Sequence, residues 1–246
     1  MEQAMHIKVH PKSALVLMHG KKSRTISSKI IQGHITLPPM SAEEADEWSK
    51  QIAPLGFVGK GEVANLGPNT RLVTPEGQKA VKQWLAGQGI VHTVSKNPAS
   101  PLVCTGAQFH HDAEAYPTEV FCVVWLSDDT PWDLYFPYLD IRIPLKYGTT
   151  VLFDSAQPHG VVAHGETGFY EDDIEFGTGV FISQDLFVSP EVRKVMGIDV
   201  CSRKGKRGFI QLNNEGYREE LDPNTAAWSI VDTRRRSPSA STAAMK

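Results

Sequence analysis

Gly106-Ala107-Gln108-Phe109-His110-His111-Asp112 and, further along, Thr149-Thr150-Val151-Leu152-Phe153-Asp154-Ser155-Ala156-Gln157-Pro158-His159-Gly160-Val161-Val162 are the two stretches that decide the reading of this chain. A metal site needs ligands that converge on one point. On a β-strand, residues i and i+2 point to the same side, so His110 and Asp112 can face one ion while His111 faces away. A third ligand must come from elsewhere in the sequence. His159 is the candidate, because it follows a β-prone run and a Pro-containing turn that would place it at the start of the next strand. His111 and His164 are the competing histidines. Each lies an odd number of positions from its rival, so a regular strand turns it to the opposite face.

Around these stretches the chain reads as short strands. Residues 119–126 form a continuous apolar run, as expected of a strand buried on both faces. Further strands are predicted at 90–94, 102–109, 132–137, 139–145 and 149–153, with 178–186 as the closing strand. Many short strands punctuated by Gly, Pro and Asp argue for a sandwich or jelly roll. The flanks carry helices. Ser41-Ala42-Glu43-Glu44 has the form of a capping box, and its helix should run to about Ala53, before Pro54. Thr74-Pro75-Glu76 starts a second helix, with Thr at the N-cap and Pro at the first helical position. Val81, Trp84 and Leu85 form its apolar stripe, and Gly87 and Gly89 end it. A short helix starting at Ser189-Pro190-Glu191 should end at Gly197.

The first forty residues offer one or two strands, at 6–10 and 14–19, that extend or cover a sheet, with a basic loop at 20–24. The glycines of 56–67 lack the lysine spacing of a phosphate loop and read as an ordinary loop. The polar, acidic stretch 165–177 reads as a mobile loop at the barrel mouth. The expected organisation is a single jelly-roll domain over 1–232. Its parts are N-terminal strands and bracing helices at 1–100, the barrel core at 101–190 and an extension at 191–232, followed by a disordered Arg/Ser/Ala-rich tail at 233–246.

With 246 residues and 41% hydrophobic content, the chain can bury a full core. A net charge of −3 argues for neither a nucleic-acid nor a membrane partner. Arg203, Lys204, Lys206 and Arg207 form a basic cluster that could meet a phosphate, and four cations without interleaved aromatics read first as a solvated loop. The three cysteines, Cys104, Cys122 and Cys201, are odd in number and have no paired spacing, which suggests buried thiols rather than disulfides or a zinc ribbon. No apolar run approaches a membrane span, and no basic region followed by an apolar stretch opens the chain. A soluble, cytoplasmic protein is therefore expected.

Two imidazoles and a carboxylate that leave positions open suit non-haem Fe(II). In this the sequence resembles the Fe(II)/2-oxoglutarate-dependent dioxygenases. The resemblance rests on Gly106, His110, Asp112, Trp125, Pro144, Gly148, Phe153, His159, Val161 and Val162, in that order, and covers roughly the central third of the chain. It implies a double-stranded β-helix of the prolyl-hydroxylase kind. It implies Fe(II) on His110, Asp112 and His159, and a reaction that couples decarboxylation of 2-oxoglutarate to oxidation, usually hydroxylation, of a substrate. The resemblance also implies a cation for the far carboxylate of 2-oxoglutarate, in much of the family on the last barrel strand. Here the corresponding residues 176–183 contain none. Some members supply it from an earlier strand, and between Gln108 and Glu191 only Arg142 and Lys146 are available, with Arg71 as an outside candidate. Whether the face of Arg142 looks inward is left open by the alternation. Trp132, Tyr135 and Tyr138 lie between the ligand pairs as candidate substrate contacts. The substrate class, whether small molecule, peptide or nucleobase, is not readable. Two other readings stand beside this one: a cupin-like metal-binding jelly roll that does not use 2-oxoglutarate, and a non-enzymatic module contacting nucleic acid or protein.

Overall fold

The computed structural model describes residues 6–18, 22–38, 41–52, 61–65, 75–92, 100–128, 130–170, 177–202 and 217–232. Arg71, Val94, the acidic Glu171-Asp172-Asp173, the cluster of Arg203, Lys204, Lys206 and Arg207, and the tail 233–246 lie outside these. In chain order the elements are β1 (His6–Lys8), β2 (Leu15–Leu17), β3 (Lys22–Thr25), β4 (Ile31–His34), α1 (Ala42–Ile52), β5 (Val63–Asn65) and α2 (Pro75–Gly87). There follow β6 (Ser100–Cys104), β7 (Ala107–His110), β8 (Glu119–Trp125), β9 (Trp132–Phe136), β10 (Ile141–Pro144), β11 (Thr149–Asp154), β12 (His159–Ala163) and β13 (Gly179–Phe187). The chain continues through α3 (Pro190–Met196), β14 (Val200–Ser202), β15 (Tyr217–Leu221) and β16 (Trp228–Asp232).

Ten of these strands make two facing sheets. The larger sheet has the order β4-β11-β8-β13-β6-β5 and the smaller β10-β9-β12-β7, all pairs antiparallel. From β6 to β13 the chain passes from one sheet to the other at every connection except the β9–β10 hairpin, which is the winding of a double-stranded β-helix. The run at β8 shows why the sheets stack. Val120, Cys122 and Val124 point to one buried cluster, while Phe121, Val123 and Trp125 point to the other, between the sheets. The outer cluster also contains Val81 and Leu85 of α2, Ile90, and Val192 and Met196 of α3. Removing one of these large apolar side chains costs about 2–5 kcal/mol.

The helices sit close to where their caps predict. Ser189 accepts a hydrogen bond from the Val192 amide, and Gly197 takes the left-handed conformation at the end of α3, with φ of 69°. Three local expectations change. The strand predicted over 102–109 is broken into β6 and β7 at Thr105-Gly106, where Gly106 has φ of 78°. Ile90–His92 forms no strand. The segment expected as a basic loop at 20–24 contains the start of β3, whose Arg24 is fully buried. The strands near the N-terminus pair mainly with the C-terminal part of the chain, in the sheets β1-β16-β15 and β14-β3-β2, while β4 extends the edge of the larger barrel sheet. Among the described residues, no helix is long and apolar enough to cross a membrane.

Candidate metal centre

His110 ends β7 and His159 begins β12, and the two are direct cross-strand partners. Side chains of such a pair share one face of a sheet, and here the ring centroids are 4.4 Å apart. Asp112 lies just beyond β7, and its backbone N–H donates to the carbonyl of Ser155 at 2.8 Å. Its Oδ2 stands 3.7 Å from His110 Nε2 and 3.7 Å from His159 Nε2. One ligand atom from each of the three residues lies within 4.8 Å of the other two.

The tautomers follow from the backbone. His110 Nδ1 is 2.7 Å from the carbonyl of Gln108, and His159 Nδ1 is 2.8 Å from the carbonyl of Gln157. A carbonyl can only accept, so each Nδ1 carries the proton and each Nε2 turns its lone pair to the shared centre. Burial, followed by the neighbouring His110, holds His159 well below its ordinary value, so it is neutral at neutral pH. Burial pushes the Asp112 carboxyl up, against the pull of His110 and His111, and the nearby Asp185 carboxylate adds to the rise.

The three residues open onto a cavity of about 270 Å³ between the sheets. Its walls are mostly apolar and aromatic, with Phe121, Trp125, Phe153 and Phe181 among them, and its polar members beyond the triad are Asn65, Tyr116, Ser183 and Asp185. None of these four was singled out from sequence. Ser183 and Asp185 share a face of β13 with Phe181, an alternation that becomes informative only once the inward face of that strand is known.

The competing histidines point elsewhere, as strand alternation requires. The ring of His111 packs 4.8 Å from that of Trp228, and His164 Nδ1 contacts Asp133 Oδ1 at 2.8 Å. Arg142 does not reach the cavity. It is the register partner of Tyr135, its guanidinium lies 4.1 Å from the centre of the Tyr135 ring, and its Nη1 is 3.7 Å from Asp133 Oδ2. That is the face of the smaller sheet opposite to Leu134, which lines the cavity. Lys146 is exposed in the turn after β10. The aromatic candidates are also placed away from the cavity. Trp132 is buried and donates from Nε1 to the Gly177 carbonyl at 3.2 Å. Tyr135 packs against Phe109 and Arg142, and the Tyr138 hydroxyl accepts from the Trp228 N–H at 2.9 Å.

Strand order and triad together give a jelly roll with a His–Asp–His cluster at the wall of its cavity. No protein-family model matches the chain, and no curated protein matches it. Among solved structures it is similar to the viral collagen prolyl hydroxylase of Paramecium Bursaria Chlorella virus-1 in its 2OG complex, at 17% identity and a TM-score of 0.41 over 66% of this chain and 97% of that one. It is also similar to SnoN, the non-heme alpha ketoglutarate dependent epimerase of nogalamycin biosynthesis, at 17% identity and 0.38 over 63% and 78% of the two chains. A prolyl hydroxylase from Trichoplax adhaerens, in complex with a hypoxia inducible factor peptide, matches at 14% identity and 0.35 over 64% and 83%.

Proposed function

We propose that this protein is a non-haem Fe(II) oxygenase whose metal is held by His110, Asp112 and His159, and that it oxidises, most simply by hydroxylation, an organic substrate brought to the mouth of the barrel. The observation that carries this reading is the convergence of two Nε2 lone pairs and one carboxylate at the wall of a largely apolar cavity. The donor set fits the ion. Three nitrogen and oxygen ligands on one side leave coordination positions open, and the neutral His159 need not lose a proton to bind. When bound, such an ion supplies a redox-active Lewis acid with room for a chelating co-substrate and dioxygen.

The chain's own residues do the rest. The Gln108 and Gln157 carbonyls fix the rings, so the ligands are oriented before the ion arrives. Phe121, Trp125, Phe153 and Phe181 give the cavity beside the ligands an apolar wall. The cavity is slightly smaller than the ~300–1,000 Å³ of sites that enclose drug-sized ligands. It therefore suits a co-substrate together with a small head group, the body of a larger substrate resting outside.

The reading is tested by anaerobic addition of Fe(II), followed by oxygen-uptake measurements with candidate substrates. Uptake that depends on Fe(II) and is lost in Asp112→Ala is the expected result. Uptake insensitive to Asp112→Ala would contradict it.

A further inference from the structure

The two imidazole ligands are oriented in the same way but anchored differently. Each ring donates from Nδ1 to the main-chain carbonyl of a glutamine two residues earlier, in Gln108-Phe109-His110 and in Gln157-Pro158-His159. A carbonyl shares its peptide plane with the N–H of the next residue, so a hydrogen bond on that N–H fixes where the oxygen points. For Gln108 the next N–H is that of Phe109, which donates to the Pro223 carbonyl at 2.8 Å, and the Gln108 N–H itself donates to the Gly61 carbonyl at 3.0 Å. For Gln157 the next residue is Pro158, which has no N–H to donate. Gln157 also lies in the bend between β11 and β12, outside the strand ladders. Main-chain bonding therefore holds the peptide that orients His159 less firmly than the one that orients His110.

The Gln157 side chain supplies what the main chain lacks. It is fully buried, and its Nε2 donates to the Ser27 carbonyl at 2.8 Å. Ser27 is buried too, and its N–H donates to Asp154 Oδ2 at 2.8 Å. The Gln157 N–H returns to the Asp154 carbonyl at 2.9 Å, which closes a ring of hydrogen bonds through Gln157, Ser27 and Asp154. Residue 157 is thus gripped through its main chain and its side chain together. Its Oε1 is buried and has no hydrogen-bond partner among the described residues. A buried amide that makes one hydrogen bond and leaves an acceptor open adds little net stability. Its contribution lies in what it positions.

Resting on the metal-centre reading, we propose that Gln157 is a positioning residue of that centre: its side-chain amide, hooked on the Ser27 carbonyl, aims its own main-chain carbonyl at His159 Nδ1 and so keeps the Nε2 lone pair directed at the ion site. Ser27 lies between β3 and β4, so a ligand of the barrel core is set by a residue from the N-terminal part of the chain. A contact of this kind acts on metal affinity through the tautomer and direction of the ligand ring, and its loss costs about 10–100-fold.

The test uses full-length protein with isotope-labelled histidine nitrogens, studied by NMR without metal and then titrated with Co(II). In the wild-type protein His159 should be the Nδ1–H tautomer, and the Gln157 side-chain amide protons should exchange slowly with solvent. Gln157→Met loses the amide, and Gln157→Asn keeps it but cannot span to Ser27. Each should give a mixture of His159 tautomers and bind Co(II) about 10–100-fold more weakly. Thr150→Val removes a different buried hydrogen bond, from Oγ1 to the Gly148 carbonyl at 3.1 Å, and is the comparison for a merely structural loss. It should lower the urea midpoint and leave the His159 tautomer and the Co(II) affinity unchanged. Wild-type tautomer and Co(II) affinity in both Gln157 variants overturn the proposal. Fast exchange of the wild-type Gln157 amide overturns it as well, and that reading is obtained even if neither variant folds. Failure of the wild-type protein to bind Co(II), with the tautomers shifting in the variants as expected, removes the metal-centre reading and leaves the positioning of the His159 ring by Gln157 standing.

Discussion

Arg24 and Asp154 are both fully buried and meet through two hydrogen bonds, Nη1 to Oδ2 at 2.6 Å and Nη2 to Oδ1 at 2.9 Å, although 130 positions separate them in sequence. Arg24 also donates to the carbonyls of Pro117 and Glu119. Asp154 accepts from the backbone N–H of Ser27 and of Ala156. The pair thus fixes the start of the turn that carries Ser155, whose carbonyl takes the Asp112 N–H, and Gln157, whose carbonyl orients His159. Both ligand-bearing segments lean on one buried ion pair.

Removing one partner of such a pair leaves an uncompensated charge in the interior, at a cost of about 3–5 kcal/mol. Arg24→Ala and Asp154→Ala should each lower the unfolding free energy measured in urea by an amount in that range. Arg24→Lys should recover only part of it, since an ammonium cannot reproduce the two-pronged geometry. A loss below about 1 kcal/mol, typical of an exposed pair, would show that the turn is held by other contacts.

The close approach of Trp125 to Gly179 gives a second expectation. Gly179→Ala inserts a methyl group where the indole already sits, and overpacking of this kind costs about 1–3 kcal/mol. Trp125→Leu opens the same space. In a double-mutant cycle followed by urea unfolding, the two changes should offset each other by about 1 kcal/mol or more. Strict additivity would mean that the indole does not occupy the space beside Gly179.

Buried His159 and half-buried Asp112 make opposite contributions to the pH dependence of the metal-free protein. The folded pKa of His159 lies below the ordinary 6.5, so its contribution to stability is fully present above pH 6.5 and is lost as the pH falls from there toward the folded value. The folded pKa of Asp112 lies above 3.8, so its contribution has the reverse sign and is lost as the pH rises from 3.8 through the folded value. Unfolding in the presence of a chelator should therefore show a fall in stability on acidification below pH 6.5 that is flattened in His159→Gln. Identical slopes in the two proteins would locate the acid-sensitive group elsewhere.

The parts of the fold that were legible in sequence are those set by local pattern. Strand alternation separates His110 and Asp112 from His111. The all-apolar run at β8 signals burial on both faces, and Thr74-Pro75 and Gly87 mark the ends of α2 to within a residue or two. What was not legible depends on distant partners. Arg24 reads as part of a basic loop because Asp154, which permits its burial, is far along the chain. Arg142 is adjacent to inward-facing residues, and only the register of β10 against β9 sends it to the outer face with Tyr135 and Asp133. Asp185 and Ser183 gain meaning only when β13 is laid beside β8. In the same way, the pairing of β1 with β16 and of β3 with β14 joins the two ends of the described chain in a manner no local signal encodes.

The most direct measurement is the metal content of protein purified without chelator and reconstituted anaerobically with Fe(II), compared with Asp112→Ala treated in the same way. One ion per chain in the wild-type protein and loss of that ion in the variant is the expected result. No bound ion, or equal amounts in both proteins, would contradict a metal centre at His110, Asp112 and His159.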